Sequence, residues 1–170
     1  MRGYFGIGVE RISKPMNAGA LFRTAHAFGA SFVFTIDAHY SVQEGRSDTS
    51  ETPEQLPWYA YDNVAELAVP EGCRLVGIEL TDDAVDLPLF RHPLQAVYVL
   101  GPEAGSLSPE LVARCDHVVK IPTKFCINVG LAGAIVMYDR HVTLGRWGQR
   151  PVSSTGKPIP PPPHFGGSRR

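Results

Sequence analysis

Five short apolar segments constrain the fold of this 170-residue chain more than any other feature. The first, Tyr4–Val9, alternates Phe5, Ile7 and Val9 with glycine, which is the period of a β-strand. The other four are nearly all apolar, as strands buried on both faces of a parallel sheet are. They are Phe32–Ile36, Arg74–Leu80, Ala96–Leu100 and His117–Ile121. We therefore predict an α/β domain with a mostly parallel sheet flanked by helices.

Three segments carry the signals of helices. Apolar residues at helical spacing predict a helix from about Asn17 to Phe28, which Gly29 ends. Ser108 is followed by proline and an acidic residue, a combination typical of a helix start. A last helix is expected from near Asn128 to about Gly145, so Asn17 and Asn128 can both be read as N-caps.

Two further segments differ in composition from the apolar strands. Residues 37–57 are polar and predict a long exposed loop, whose Arg46, Ser47, Asp48 and Thr49 suit contacts to RNA or form only a solvated excursion. Residues 151–170 are rich in proline and basic residues. We predict one domain over 1–150 and an extended tail over 151–170, which could bind a partner, help to hold RNA or have no role.

Charge and cysteine content exclude several classes. Lys+Arg 16 against Asp+Glu 17 gives a net charge of −1, so a nucleic-acid partner must meet a local basic patch. Cys73, Cys115 and Cys126 fit neither a disulfide framework nor a zinc site, which favours reduced thiols in the cytoplasm. The histidines are scattered, and no apolar run approaches 20 residues. We expect no metal and no membrane span.

Ligands in open α/β sheets bind beyond the carboxyl ends of the strands, here after Leu80, Leu100 and Ile121. Residues 101–105, Gly-Pro-Glu-Ala-Gly, offer a sharp turn, backbone amides and one carboxylate at such a strand end. The three-glycine dinucleotide fingerprint and the phosphate-binding lysine loop are both missing. A nucleoside-like cofactor would have to be held by main-chain groups of several loops.

Three motifs resemble, in order and separation, those of the SpoU/TrmH family of SPOUT RNA methyltransferases. The first is residues 17–25, with Asn17 and Arg23 six positions apart. The second is residues 100–108, and the third is Ile121-Pro122 followed by Ile127-Asn128-Val129 and a helix rich in small residues. The chain resembles the minimal, single-domain members, some of which act on the tRNA anticodon loop.

This resemblance implies a C-terminal trefoil knot, a homodimer, and methyl transfer from S-adenosylmethionine (AdoMet) to a ribose 2′-hydroxyl of RNA, with tRNA preferred to rRNA. The residues similar to the family's cofactor contacts are Leu80, Leu100, Gly101, Ile121, Cys126 and Ile127. Those similar to its catalytic residues are Arg23, Asn17, Glu103 and Asn128. For Glu103 we expect a contact to a ribose hydroxyl, to Arg23 or to Asn17; a carboxylate beside a helix N-terminus is the simpler alternative.

Two departures from the family pattern bear on function. Only five residues separate Pro122 from Asn128, and Cys126 stands where the family often has serine, a better hydrogen-bond donor. The alternative reading is therefore an RNA-binding or assembly protein with the same fold and no turnover. Base methylation, which other SPOUT branches perform, is a further alternative, but their patterns lack this spacing of asparagine and arginine.

Arg23 is the family's residue for the loss of the 2′-hydroxyl proton, yet a guanidinium is a poor base. Our hypothesis is that Arg23 grips a neighbouring phosphate and stabilises developing alkoxide charge. The simpler alternative is an arginine on the polar flank of its helix. The last helix also carries the small residues Gly130, Ala132, Gly133 and Ala134, which could pack under the knot, across a dimer or within the monomer.

Overall fold

The computed structural model describes residues 3–39 and 56–145. Within these ranges seven strands form one sheet. The strands are β1 (Tyr4–Glu10), β2 (Phe32–Ile36), β3 (Trp58–Tyr61), β4 (Arg74–Ile78), β5 (Val85–Asp86), β6 (Gln95–Leu100) and β7 (His117–Lys120). The α-helices are α1 (Pro15–Ala27), α2 (Pro109–Arg114) and α3 (Val129–Leu144), and short 3-10 helices cover Val64–Glu66 and Leu87–Leu89.

The strand order is β3-β2-β1-β6-β4-β7-β5, and every neighbouring pair is parallel. The predicted α/β class and parallel sheet are confirmed, and all five predicted strands are present. The two strands that the sequence did not predict, β3 and β5, lie at the edges of the sheet. The trefoil knot stays a prediction, with which this strand order is consistent.

Glycines in β1 let the aromatic side chains of the neighbouring strand lie across it. A Cβ on Gly6 would lie 2.2 Å from the ring of Phe32, and one on Gly8 would lie 2.4 Å from the backbone oxygen of Phe34. The rings of Phe32 and Phe34 are buried in a core on this face of the sheet, together with Leu111 of α2. Glycine in β1 is thus required by packing.

The other face of the sheet is covered by α1 and α3, which pack against each other. Gly133 of α3 faces Leu21 of α1, since a Cβ there would lie 2.2 Å from the Leu21 Cδ1 atom. A Cβ on Gly130 would lie 3.4 Å from the Cβ of Ala20. Of the three readings for the small residues of α3, packing within the monomer is the one these contacts support.

The helix starts follow local sequence with one exception. Ser108 caps α2 by accepting a hydrogen bond from the Leu111 N–H, and Asn128 caps α3 by accepting from the N–H groups of Gly130 and Leu131. The interpretation of Asn17 as an N-cap is wrong, because Pro15 occupies the first turn and the helix begins before Asn17. The cap position of α1 is Lys14, whose side chain makes no capping hydrogen bond.

A buried polar cluster anchors α3 near the amino end of β6, on the side of the sheet opposite to the carboxyl ends of the strands. Arg140 is 2% exposed and donates to the carbonyl of Leu94 at 2.8 Å and to the hydroxyl of Tyr98 at 3.2 Å. His92 joins the Tyr98 hydroxyl to Asp139 at 2.7 and 2.9 Å. Burial, above all other causes, lowers the pKa of His92. This cluster fixes α3 relative to β6.

Other expectations fall on residues that lie outside the described ranges. They are Arg46, Ser47, Asp48 and Thr49 of the polar segment, and the tail over 151–170. Across 3–39 and 56–145, no helix has both the length and the apolar character needed to cross a membrane. The same ranges contain no group of three or more acidic, histidine or cysteine side chains placed to hold a metal ion.

Candidate functional site

A cleft opens at the carboxyl ends of the central strands, where the loops after β4, β6 and β7 meet the start of α3. Its cavity volume is about 120 Å³. All six residues expected to contact a cofactor line it: Leu80, Leu100, Gly101, Ile121, Cys126 and Ile127. Because the strands are parallel, segments far apart in the chain reach the same edge of the sheet. The expected cofactor residues are thus brought together in one place.

The loop after β7 contributes a wall that is ordered by its own hydrogen bonds. The Thr123 N–H donates to the carbonyl of Ile121 at 2.7 Å, and the Thr123 hydroxyl donates to the carbonyl of Phe125 at 2.9 Å. These bonds form a tight turn despite the shortness of the segment. Cys126 is exposed and borders the cleft, while the ring of Phe125 is 73% exposed.

Glu103 caps α1 from a distant part of the chain. Its carboxylate accepts from the backbone N–H groups of Ser13 and Lys14 at 3.2 and 3.1 Å and from the Ser13 hydroxyl at 3.2 Å. It also accepts from the Asn17 side chain at 3.1 Å. Of the expected contacts, the one to Asn17 is present, and Glu103 does lie beside a helix N-terminus, that of α1.

These hydrogen bonds stabilise the ionised form of Glu103. Burial alone would raise the pKa of this carboxyl, but the donors from Asn17, Ser13 and Lys14 outweigh it and hold the pKa below its usual value. Glu103 is therefore a carboxylate at neutral pH. Its negative charge lies at the positive end of the α1 dipole.

Asn17 joins all three motifs in one hydrogen-bonded chain. The Asn128 Nδ2 atom donates to Oδ1 of Asn17 at 3.1 Å, and Nδ2 of Asn17 donates to Glu103. The Asn128 Oδ1 atom in turn accepts from the first turn of α3. Three of the four expected catalytic residues, Asn17, Glu103 and Asn128, are thus in contact.

Arg23, the fourth, is placed differently. It is exposed on α1 and does not line the cleft of its own chain, and its side chain makes no hydrogen bond or ion pair with residues of 3–39 or 56–145. Asn17 and Arg23 are six residues apart, which on a helix is a rise of about 9 Å and a rotation of about 120°. The single chain therefore presents Arg23 on another face of α1.

Two polar cleft residues escaped the sequence reasoning, Glu79 and Thr123. Glu79 follows the last residue of β4 and accepts from the N–H groups of Leu80 at 3.0 Å and Leu107 at 2.6 Å. An acidic residue directly after a buried strand was a signal that could have pointed to it. Thr123 had no such signal, because its position depends on the turn of its loop.

The chain resembles known proteins over most of its length. Residues 5–138 match the sequence profile of the SpoU rRNA Methylase family. The tRNA (guanosine(18)-2′-O)-methyltransferase of Mus musculus is 30% identical over 79% of this chain and 9% of its own length. The enzyme of the same name from Escherichia coli (strain K12) is 26% identical over 77% of this chain and 60% of its own. The chain thus spans less than two thirds of the length of each of these relatives.

Solved structures share the fold. A SpoU methyltransferase from Streptomyces viridochromogenes, solved in complex with AdoMet, has a TM-score of 0.75 at 23% identity and covers 85% of this chain and 60% of its own. A structure described as giving insights into the 2-OH methylation of C/U34 on tRNA has a TM-score of 0.71 at 21% identity, covering 85% of this chain and 98% of its own. These structures show the fold, and the profile match over residues 5–138 shows that the chain belongs to the SpoU rRNA Methylase family.

Proposed function

We propose that this chain is an AdoMet-dependent methyltransferase that acts on a ribose 2′-hydroxyl of RNA, with tRNA preferred to rRNA. The observation that carries the proposal is the convergence of all six expected cofactor residues on one cleft. Family membership supports the reaction, and the names of the two relatives above support tRNA.

The cleft has the chemistry that AdoMet requires. Leu100, Ile121 and Ile127 supply apolar surface for a purine ring. Gly101 lets the main chain of Leu107 pack closely against it, since a Cβ at position 101 would lie only 3.3 Å from the Leu107 nitrogen. When bound, AdoMet supplies an electrophilic methyl group. We propose that the six cleft residues named above hold it, chiefly by apolar contact and main-chain groups.

Arg23 acts on the RNA rather than as a base. Its guanidinium stays charged throughout the physiological range, so it is a poor proton acceptor. It can instead grip a phosphate of the RNA with two parallel hydrogen bonds and stabilise negative charge that develops on the 2′-oxygen, while phosphate or water takes the proton. Asn17, Glu103 and Asn128 hold the start of α1 against the cleft and so determine where Arg23 is presented.

A homodimer would complete the site. The surface that α1 and α3 leave open carries Met16, Leu131 and Ile135, which are 73%, 62% and 40% exposed. On α1, Met16 and Arg23 are seven residues apart and share this open side. We propose that a second copy of the chain covers this surface, and that Arg23 of one protomer meets the cleft of its partner. The dimer would then explain both why Arg23 lies away from the cleft of its own chain and why an apolar surface is exposed.

The alternative is an RNA-binding or assembly protein without turnover, which the exposed cysteine at the cleft in place of serine favours. Isothermal titration calorimetry with AdoMet separates the two readings. We expect binding in the micromolar range, methylation of tRNA, and 2′-O-methylated nucleosides after digestion. Absence of binding at millimolar AdoMet would favour the non-enzyme, and a methylated base would show a different reaction. We place the protein in the cytoplasm, in keeping with its free thiols.

A further inference from the structure

Glu79 holds an unusual position among the acidic residues around the cleft. It is the first residue after β4, it lines the cleft, and its backbone N–H donates to the carbonyl of Val119 in β7 at 3.0 Å. Its main chain is thus tied to the neighbouring strand. Its side chain forms hydrogen bonds with the loops at the carboxyl ends of the strands.

The two carboxylate oxygens of Glu79 serve two different loops. Oε1 accepts from the N–H of Leu80, in the loop after β4, at 3.0 Å. Oε2 accepts from the N–H of Leu107, in the loop after β6, at 2.6 Å. Leu80 lines the cleft, and so do several residues of the loop that Leu107 ends. One side chain therefore joins two walls of the cleft.

The same contact lies beside Gly101. A Cβ at Gly101 would lie 3.3 Å from the Leu107 nitrogen and 3.5 Å from Oε2 of Glu79. Movement of Leu107 away from Glu79 would therefore change the surroundings of Gly101, one of the residues proposed to hold AdoMet. We propose that Glu79 is a positioning residue that holds these two loops at the spacing AdoMet requires. This inference rests on the proposed function.

The chemistry demands a carboxylate. A glutamine at position 79 would have one oxygen acceptor, and its NH₂ group would face a backbone N–H that also donates. Either Leu80 or Leu107 would lose its acceptor, and Leu107 is buried. An unpaired donor in such a place destabilises the closed arrangement of the loops. We therefore expect the two loops to separate in the Glu79→Gln variant while the sheet below them stays folded.

The chain offers a matched control. Glu66, in the 3-10 helix after β3, also uses both carboxylate oxygens, accepting from the Asn63 side chain at 3.0 Å and from the Asp62 N–H at 3.3 Å. Glu66 does not line the cleft. Glu66→Gln therefore breaks the same kind of double contact in a place where AdoMet binding should not respond.

The test compares wild type, Glu79→Gln and Glu66→Gln by calorimetry with AdoMet and by hydrogen exchange of the free proteins. We expect the AdoMet Kd to rise about tenfold or more in Glu79→Gln only. Amide exchange over residues 101–108 should accelerate in that variant only. Glu79→Asp, which keeps the charge but has a shorter reach, should change both measurements in the same direction and replaces Glu79→Gln if the latter does not fold.

Either of two results for the Glu79→Gln variant would overturn the inference: a Kd within twofold of wild type, or unchanged exchange over 101–108. An equal loss of affinity in Glu66→Gln would do so as well, because it would indicate general destabilisation. If the wild type itself binds no AdoMet, the proposed function fails. The exchange of the free proteins then still decides whether Glu79 holds the two loops together.

Discussion

Asn128 donates a hydrogen bond from Nδ2 to the Oδ1 atom of Asn17 at 3.1 Å, and so connects the start of α3 to the first turn of α1. Because the Nδ2 atom of Asn17 donates to Glu103, the amide group of Asn17 can take only one orientation. The position requires a side chain that both accepts and donates, because it presents an acceptor to Asn128 and a donor to Glu103.

Replacement of Asn17 by aspartate should damage both stability and methyl transfer. Asn17→Asp removes the donor and sets a second carboxylate against Glu103, so we expect a loss of about 1–2 kcal/mol in the free energy of unfolding. Activity should fall at least tenfold. Asn63→Asp is the control, because Asn63 also donates to a glutamate, Glu66, at 3.0 Å. Urea unfolding and methylation assays measure both effects, and full activity in Asn17→Asp would contradict the proposed role.

The depressed pKa of Glu103 predicts a specific acid sensitivity. Its carboxylate form is favoured in the folded state, so its stabilising contribution is present above the usual pKa of about 4.5 and is lost as the pH falls through the lower folded value. Glu103→Gln cannot titrate. The difference in urea midpoint between wild type and Glu103→Gln should therefore shrink as the pH is lowered below 4.5. A difference independent of pH from 7 to 3 would refute this assignment.

Arg23→Lys should abolish most turnover although it keeps the charge, because the planar guanidinium fork is lost. We expect a fall in kcat of about a hundredfold or more. The AdoMet Kd and the melting temperature should stay the same, since Arg23 is proposed to bind an RNA phosphate rather than AdoMet and is exposed on α1. Arg91→Lys, at another exposed arginine, is the control. A lysine variant with a rate near that of wild type would eliminate the phosphate-grip hypothesis.

Thiol labelling should locate the cofactor without any RNA. Cys126 is exposed at the cleft, whereas burial raises the pKa of the Cys73 thiol and, to about 11, that of Cys115. At pH 8 a maleimide should therefore modify Cys126 first, and saturating AdoMet should slow this reaction severalfold. Peptide mass mapping identifies the site, with Cys126→Ser as the control. Labelling of Cys126 that AdoMet leaves unchanged would argue against this cleft.

A charged side chain on the open surface of α1 and α3 should disrupt the dimer. Leu131→Glu should give monomers in sedimentation experiments and lose activity, because a carboxylate would be buried at the interface. Leu89→Glu is the matched control, since Leu89 is 77% exposed on the 3-10 helix Leu87–Leu89. Dimers that persist in Leu131→Glu, or a wild type that is already monomeric, would rule out the proposed interface.

Local sequence was sufficient for the interior strands and for the starts of α2 and α3, but not for the start of α1, which lies at Pro15 and not at Asn17. Continuous apolar runs mark β2, β4 and β6, and Ser108 and Asn128 mark the starts of α2 and α3. The edge strands β3 and β5 have four and two residues and are partly exposed, so pairing with a neighbouring strand determines them rather than their own pattern.

The three motifs that resemble the SpoU/TrmH family made it possible to predict which residues line the cleft. Their convergence on one cleft follows from the parallel sheet, and the cleft-lining role of Leu80 and Ile121 required only the strand ends. The contact between Glu103 and Asn17 was among the expectations, but the hydrogen bonds of Glu103 to Lys14 and of Glu79 to Leu107 were not predictable, because each joins segments distant in the chain. Nor was the outward position of Arg23, which depends on where α1 begins and how it is rotated.

The loops that line the cleft belong to β4, β6 and β7, and Glu103 links them to α1, so partial unfolding of any of these elements would dismantle the binding surface. A bound cofactor would therefore favour only the fully folded chain. At a concentration one hundred times its Kd, such a ligand raises the free energy of unfolding by about 2.7 kcal/mol. Proteases that cut only after global opening would then be slowed at sites far from the cleft, since global opening both exposes those sites and releases the ligand.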